Sequence, residues 1–247
     1  VNGGAVFNNA GNTTTITNST FSRNRSNAAG KGGGIFNSGL LSVTNTTLFA
    51  NDSFLEGGGL FNSGSITVDN TIFADNVSTT TTADEISGFV SGRNNIVVDA
   101  NSAGGLVNNV NGNQVGNIST LGLLSSALSN NGGLTKTHAL VAGSFAINTG
   151  SAAAASNANL NFDQRGVGFP RNVGGGVDIG AVEFLAAKPT NLIVDTTADN
   201  DDNNFSAGNL SLREAILLAN ANPGADTITF AAGIAGKSIA LTRAAFV

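Results

Sequence analysis

Apolar and polar letters alternate along this chain in short runs, and the runs recur. The stretches "ITNSTFSRN" at 16–24, "VTNTTLFAN" at 43–51 and "VDNTIFADN" at 68–76 begin 27 and 25 residues apart, and "GGGIFN" at 32–37 returns as "GGGLFN" at 57–62. Alternation broken by Gly, Asn and Ser predicts short strands joined by turns. A unit of about 25 residues cannot bury its own apolar face, so copies must stack around a shared core. The pattern predicts an all-β fold, a right-handed parallel β-helix (solenoid), with strands throughout 1–184. Rungs are expected over 1–97, their continuation and a terminal motif over 98–184, a linker over 185–191 and a separate segment over 192–247. At about 25 residues per rung, the chain would form on the order of ten rungs and extend near 45 Å.

Stacking turns equivalent letters into ladders. Phe7, Phe36 and Phe61 should lie above one another, each followed by an asparagine (Asn8, Asn37, Asn62), and Phe21, Leu48 and Phe73 should form a second apolar column. Asn18, Asn45 and Asn70 form a third column, and Asn24, Asn51 and Asn76 a fourth. An amide side chain both donates and accepts, so such a column can bond to itself and to turn backbone. The same asparagines begin the triplets "NST", "NTT" and "NVS", which fit a glycosylation acceptor, but ladders are the preferred reading. The interior is expected to be aliphatic and rich in phenylalanine.

Composition narrows the partners. Of 247 residues, 33 are glycine and only 11% are charged, with a net charge of −5 and no Cys, Met, Trp or Tyr. Disulfides and metal thiolates are thereby excluded. No basic stripe exists to bind nucleic acid, and no apolar run is long enough to insert in a membrane. The opening "VNGGAVFNNAGN" has neither a charged start nor an apolar core, so it reads as neither a signal peptide nor a translational start.

Three stretches carry family likenesses. The Gly-rich segments paired with Phe-x-x-Asn, as in Phe21–Asn24 and Phe73–Asn76, resemble the repeats of polymorphic outer-membrane proteins. The pair "NNGGLTKTHALVAGSFAINTG" at 130–150 and "DQRGVGFPRNVGGGVDIGAVEF" at 163–184 resembles the end of the β-helix in secreted bacterial proteins of the choice-of-anchor group. It departs at Phe145 and Asn148, where that group leads one to expect proline and aspartate. The stretch at 192–230, containing "NLSLREAILLANANPG", is similar to the CSLREA-type segment that begins such helices, with Leu210 in place of the motif's cysteine. A helix near 211–220, capped by Asn209 or Ser211, would there carry an apolar stripe of Leu212, Ala215, Ile216 and Ala219 and cover the open end of the solenoid. A short helical turn is expected near 121–129.

Candidate chemistry is sparse. Asp163, Arg165, Arg171, Asp178 and Glu183, with the lone His138 upstream, would be either a polysaccharide-cleaving site or a structural knot that ties down loops. A groove on the long face would mark catalysis, whereas a knot would sit at the end of the solenoid, and the knot is the favoured reading. Asp195, Asp199, Asp201 and Asp202 offer hard oxygen ligands that suit Ca²⁺, without the spacing of an EF-hand; no other cofactor is implied. Because "LTRAAFV" at 241–247 reads on into "VNGGAVF" at 1–7, Val1, Ala240, Phe246 and Val247 are the expected assembly contacts between strands of successive units. The expected function is a non-enzymatic structural or adhesive module, extracellular or on a bacterial surface, in a head-to-tail filament or tandem array. Its partners would be copies of itself and surface glycans; the alternatives are a carbohydrate-active enzyme and a non-catalytic carbohydrate-binding module.

Overall fold

A computed structural model describes residues 2–80, 84–172, 175–185, 192–202, 204–220 and 226–242. The first rung consists of β1 (Val6–Asn8), β2 (Thr13–Thr17) and β3 (Thr20–Ser22). The second holds β4 (Ile35–Asn37), β5 (Leu40–Thr44), β6 (Thr47–Phe49) and the two-residue β7 (Asp52–Ser53). The third repeats this with β8 (Leu60–Asn62), β9 (Ser65–Asp69), β10 (Ile72–Ala74) and β11 (Val77–Ser78). The fourth has β12 (Ile86–Ser87), β13 (Ser91–Arg93) and β14 (Ile96–Val97), and β15 (Gln114–Val115) closes the series. Every strand pairing is parallel, in three larger sheets, A in the order β1-β4-β8-β12, B in the order β2-β5-β9-β13, and C in the order β3-β6-β10-β14-β15, with β7 and β11 forming a two-stranded fourth. The chain is a parallel β-solenoid of about four turns, its longest sheet spanning about 19 Å from first strand to last.

The expected columns are present in register: Phe7, Phe36 and Phe61 on sheet A, and Phe21, Leu48 and Phe73 on sheet C, the latter continued by Val97 and Val115. Inside the rungs lie Ile35, Leu60 and Ile86 from sheet A, Ile16, Val43 and Val68 from sheet B, and Leu48, Phe73 and Val97 from sheet C. This interior is mostly aliphatic. The Phe7–Phe36–Phe61 column instead stands on the outer face, its rings stacked at 5.0 and 5.1 Å, with Phe7 52% exposed. Side chains alternate along a strand, so Val6, Ile35 and Leu60 turning inward forces their neighbours out. The corners depend on glycine: Gly32 and Gly57 have φ of 68° and 64°, and a Cβ on Gly33 would lie 2.5 Å from the Asp52 carbonyl oxygen.

Strands do not continue to residue 184, nor are there ten rungs. After β15 the chain runs as a flank across the outer face of sheet C, its own turns joined to one another by isolated antiparallel bridges (Leu124 with Leu140, Gly150 with Val177, Phe162 with Pro170). It carries a 3₁₀ turn at Thr120–Gly122 and a helix the sequence pattern does not suggest, α1 (Ala152–Asn157), capped by Ser151. A second core forms beneath it, in which Phe49, Ile72, Ala74 and Ile96 of the rungs meet Leu123, Leu124, Leu140, Ala146 and Ile179 of the flank. Sheet C is thus buried on both faces, which is why β6 and β10 bury every residue while β9 alternates. Gly180 lets the flank come close: a Cβ there would sit 2.8 Å from Ile72 Cδ1.

The remaining residues form a β-α-β unit, with β16 (Leu192–Val194), α2 (Leu212–Asn220) and β17 (Ile228–Phe230), the two strands parallel. Ser211 and Glu214 make a reciprocal capping box: the Glu214 N–H donates to the Ser211 hydroxyl at 3.2 Å and the Ser211 N–H to the Glu214 carboxylate at 3.0 Å. Ser211, not Asn209, is the cap. The buried apolar face is Ala215 and Leu218, packed on Leu192, Val194 and Leu210, while Leu212, Ile216 and Ala219 are only half-buried. The helix covers its own two-stranded sheet, and none of the residues in this cluster belongs to the core of the rungs.

Candidate functional site

The asparagine columns divide into two kinds. Asn24, Asn51 and Asn76 bond along the solenoid axis: Asn24 Nδ2 donates to Asn51 Oδ1 at 2.9 Å, and Asn51 Nδ2 to Asn76 Oδ1 at 2.8 Å. Each oxygen also accepts the backbone N–H of the asparagine one rung earlier, at 3.0 Å. Asn8, Asn37 and Asn62 form an equivalent chain at 2.7 Å per step, a ladder the sequence reading noted only as companions of the phenylalanines. Asn18, Asn45 and Asn70 behave differently. They take φ of 44°, 49° and 49° at the corner between sheets B and C, where asparagine tolerates the left-handed conformation, and their side chains turn toward the flank. Asn18 donates to Phe162 O at 2.7 Å, Asn45 to Asp178 O at 3.4 Å and Asn70 to Ser151 O at 3.0 Å, while one step of the expected ladder is also made, from Asn70 Nδ2 to Asn45 Oδ1 at 3.2 Å. Asn94 (φ 51°) extends the seam by donating to Thr149 O at 2.9 Å. Burial of Asn45 and Asn76 favours the ladder reading over glycosylation at these two triplets.

The Asn24–Asn51–Asn76 ladder ends in a carboxyl. Asn76 Nδ2 donates to Glu85 Oε2 at 2.5 Å, and Glu85 is only 2% exposed. Burial pushes its pKa up to about 8, against a smaller lowering by the Asn76 hydrogen bonds. No motif marks Glu85 in the sequence; its place after Asp84, one residue before the in-register Ile86, is the only signal.

Four of the five charged candidates are buried to 3% exposure or less, and Arg165 to 8%. Arg165 holds Asp163 through Nε at 3.1 and 3.0 Å and through Nη2 at 2.5 Å, donates to Glu183 O at 2.8 Å, and lies 4.2 Å over the Phe169 ring. Arg171 reaches Glu183 Oε1 at 3.0 Å, the carbonyls of Gly180 and Ala181 at 3.0 and 2.7 Å, and Asn18 Oδ1 on the first rung at 2.5 Å. Asp178 accepts the N–H groups of Asn148, at 2.7 Å, and of Phe184. Asn148, at a position that departs from the resembled motif, has φ of 56°, so asparagine serves the turn there. Burial pushes Asp178 up to about 6 and raises Glu183 well above the usual carboxylate range. Three carboxyls against two guanidinium groups leave one excess negative charge if all ionise, so the cluster favours keeping a proton.

This cluster is a closed knot, but it lies on the long flank and not at the end of the solenoid. The flank folds back along sheet C, and the knot sits where it meets Asn18 and Thr47, whose hydroxyl accepts from Ala181 N at 3.1 Å. His138 is not part of it. Its Nδ1 donates to Ser125 O at 2.8 Å, its Nε2 accepts from the Ser22 hydroxyl at 2.9 Å, and its ring packs 4.4 Å from that of Phe49. Burial lowers its pKa, in keeping with a neutral imidazole that pins the flank to β3.

The acidic loop is largely committed to other bonds. Asp199 pairs with Arg213 at 2.7 Å, and Asp195 accepts the N–H groups of Gly208 and Leu210 at 2.6 and 2.8 Å. Asp202 accepts from Asn204 N at 2.9 Å, and Asp201 lines a small cleft against Gly168 and Pro170. Among the described residues no group of three or more His, Cys, Asp or Glu is placed to hold a metal ion. Of the expected assembly contacts, Ala240 is exposed and outside any strand, contrary to the reading of a strand there, while Val1, Phe246 and Val247 lie outside the described residues. Among the described residues no helix is long and apolar enough to cross a membrane.

Fold and site together define a parallel β-solenoid whose flank is latched by buried charge. Compared with protein-family models, curated proteins and solved structures, the chain matches none.

Proposed function

We propose that this chain is a structural or adhesive β-solenoid module of the extracellular or cell-surface kind, stacked end to end with further rungs in a filament or tandem array. One observation supports this above the others: the first rung is an open, ready-made template. Strands β1, β2 and β3 are edges of their sheets, Phe7 presents a free ring face at the end of its stack, and Asn24 Oδ1 has no donor among the described residues, although Asn51 and Asn76 each accept two. A preceding rung with the same letters would supply both missing donors and pair all three strands. A heterologous contact of this type repeats without closing and gives filaments. Catalysis is disfavoured because the knot's charges are spent on one another and on flank backbone.

Sedimentation tests the stacking. The 24.6 kDa chain is expected to associate with rising concentration, and Asn24→Asp with Phe7→Lys is expected to abolish association while leaving the fold. A species that stays monomeric at millimolar concentration overturns the assembly reading. Steady release of reducing or unsaturated ends from a polysaccharide, lost in Asp178→Ala with the fold intact, would establish an enzyme instead.

A further inference from the structure

We propose that the outer face of sheet B binds a neutral oligosaccharide lying along the solenoid axis. The register sets Thr15, Ser42, Thr67 and Ser91 in one column, with Thr17, Thr44, Asp69 and Arg93 in the next. Strand parity turns both columns outward, because Ile16, Val43 and Val68 between them enter the core. At the lower end the face deepens into an open groove of about 520 Å³, floored by Thr67, Asp69, Ser91 and Arg93 and walled by Asn111 and Ser151. That volume falls in the range typical of small-ligand sites. The wall exists because the flank docks here: Ser151 N donates to Asn70 Oδ1 at 2.7 Å, and Asn94 holds Thr149.

The lining chemistry selects the ligand. The Thr67 hydroxyl and the Asn111 side-chain amide make no hydrogen bond to another described residue, so donors and acceptors face the groove uncommitted. Asp69 and Arg93 sit 3.9 Å apart and cancel in charge, and the chain as a whole is at −5. A polyanion gains nothing from such a floor, and an apolar ligand finds no hydrophobic side chain on it. A sugar hydroxyl both donates and accepts, which matches a mixed set of hydroxyl, amide, carboxylate and guanidinium groups. The column repeats every ~4.8 Å, close to the advance per sugar of an extended β-linked pyranose chain, so each strand offers one hydroxyl per sugar unit.

This inference does not depend on stacking, since the groove lies within one molecule. Calorimetric titration with neutral β-linked gluco-, xylo- and chito-oligosaccharides, and with oligouronates for contrast, provides the test. At least one neutral series is expected to bind, with affinity rising up to about four sugars, the number of strands in the sheet. Thr67→Val and Asn111→Gly, the latter because glycine tolerates the φ of 53° at that position, should each weaken binding about fivefold or more, as expected for losing one hydrogen bond, with little change in melting. Thr13→Val, on the same sheet but outside the groove, should bind as the parent does. No binding of any neutral series at millimolar ligand, binding of oligouronates alone, or affinity indifferent to both groove substitutions overturns the proposal. Filaments without sugar binding would sink only this inference, and sugar binding by a strict monomer would sink only the stacking.

Discussion

Asn51 shows how one residue type can do the work of a core. Its amide is fully buried and joins three rungs, so Asn51→Ala leaves both Asn24 N–H groups without their acceptor and the Asn76 carbonyl oxygen with only the backbone N–H of residue 51. A loss of ~2–3 kcal/mol is expected by denaturant unfolding, whereas Asn24→Ala, at the half-exposed end of the same ladder, should cost under ~1 kcal/mol. Glu85 works in the opposite sense. Its carboxyl has a folded pKa of about 8, against 4.5 for the free group, so between those values the unfolded chain releases a proton that the folded chain keeps. Stability therefore falls as pH rises through this window, and by pH 7 the difference amounts to about 3 kcal/mol. Glu85→Gln keeps an acceptor for Asn76 and is expected to raise the melting midpoint at pH 7 and leave it unchanged at pH 4. An equal gain at both values would show that ionisation is not the cause.

Among the elements, the flank is the one that depends on a few polar contacts. Arg171 ties it to Asn18 and neutralises part of the buried carboxylate charge, so Arg171→Met strands Glu183 and Asp178 without their cation. The expected cost is ~3–5 kcal/mol. Hydrogen exchange should show protection lost first along 145–184 and then on β6 and β10, whose outer faces the flank covers, while sheet B stays protected. Uniform loss across all three sheets would mean that flank and rungs unfold as one unit. The α2 unit has its own small core, so Ser211→Ala, removing the capping box, should cost ~1 kcal/mol and appear as local exchange within 192–242.

For the whole molecule, the buried carboxyls set the pH response. Asp178, Glu183 and Glu85 all have raised folded pKa values, and each favours the folded state toward acid. His138 opposes them: with its folded pKa lowered, stability is lost as pH drops below the imidazole's ordinary value of 6.5. One histidine cannot offset three carboxyls, so the midpoint of thermal unfolding should be highest at or below about pH 4.5, where the free carboxyls still hold their protons, and decline toward pH 8. A midpoint that rises steadily from pH 5 to pH 8 would contradict the assignment of protonated carboxyls.

The letters alone determined the rungs. Parallel stacking puts each residue above its equivalent, so a repeat such as "GGGIFN" and "GGGLFN" dictates register, column and ladder without knowledge of anything distant. That local logic reached the phenylalanine and asparagine columns and the helix near 211–220, and it narrowed the cap to Asn209 or Ser211. It did not say which face Phe36 takes, because inward or outward depends on which neighbour the closed rung accepts. That sheet C is covered on both sides, and by what, was decided only by tertiary structure. Residues 117–184 repeat nothing, and their contacts, Arg171 to Asn18 and His138 to Ser22, join positions more than a hundred residues apart. No periodicity encodes such pairs. The same fold-back placed the charged knot on the long side and raised the wall of the sheet B groove, since both exist only where the flank meets the rungs.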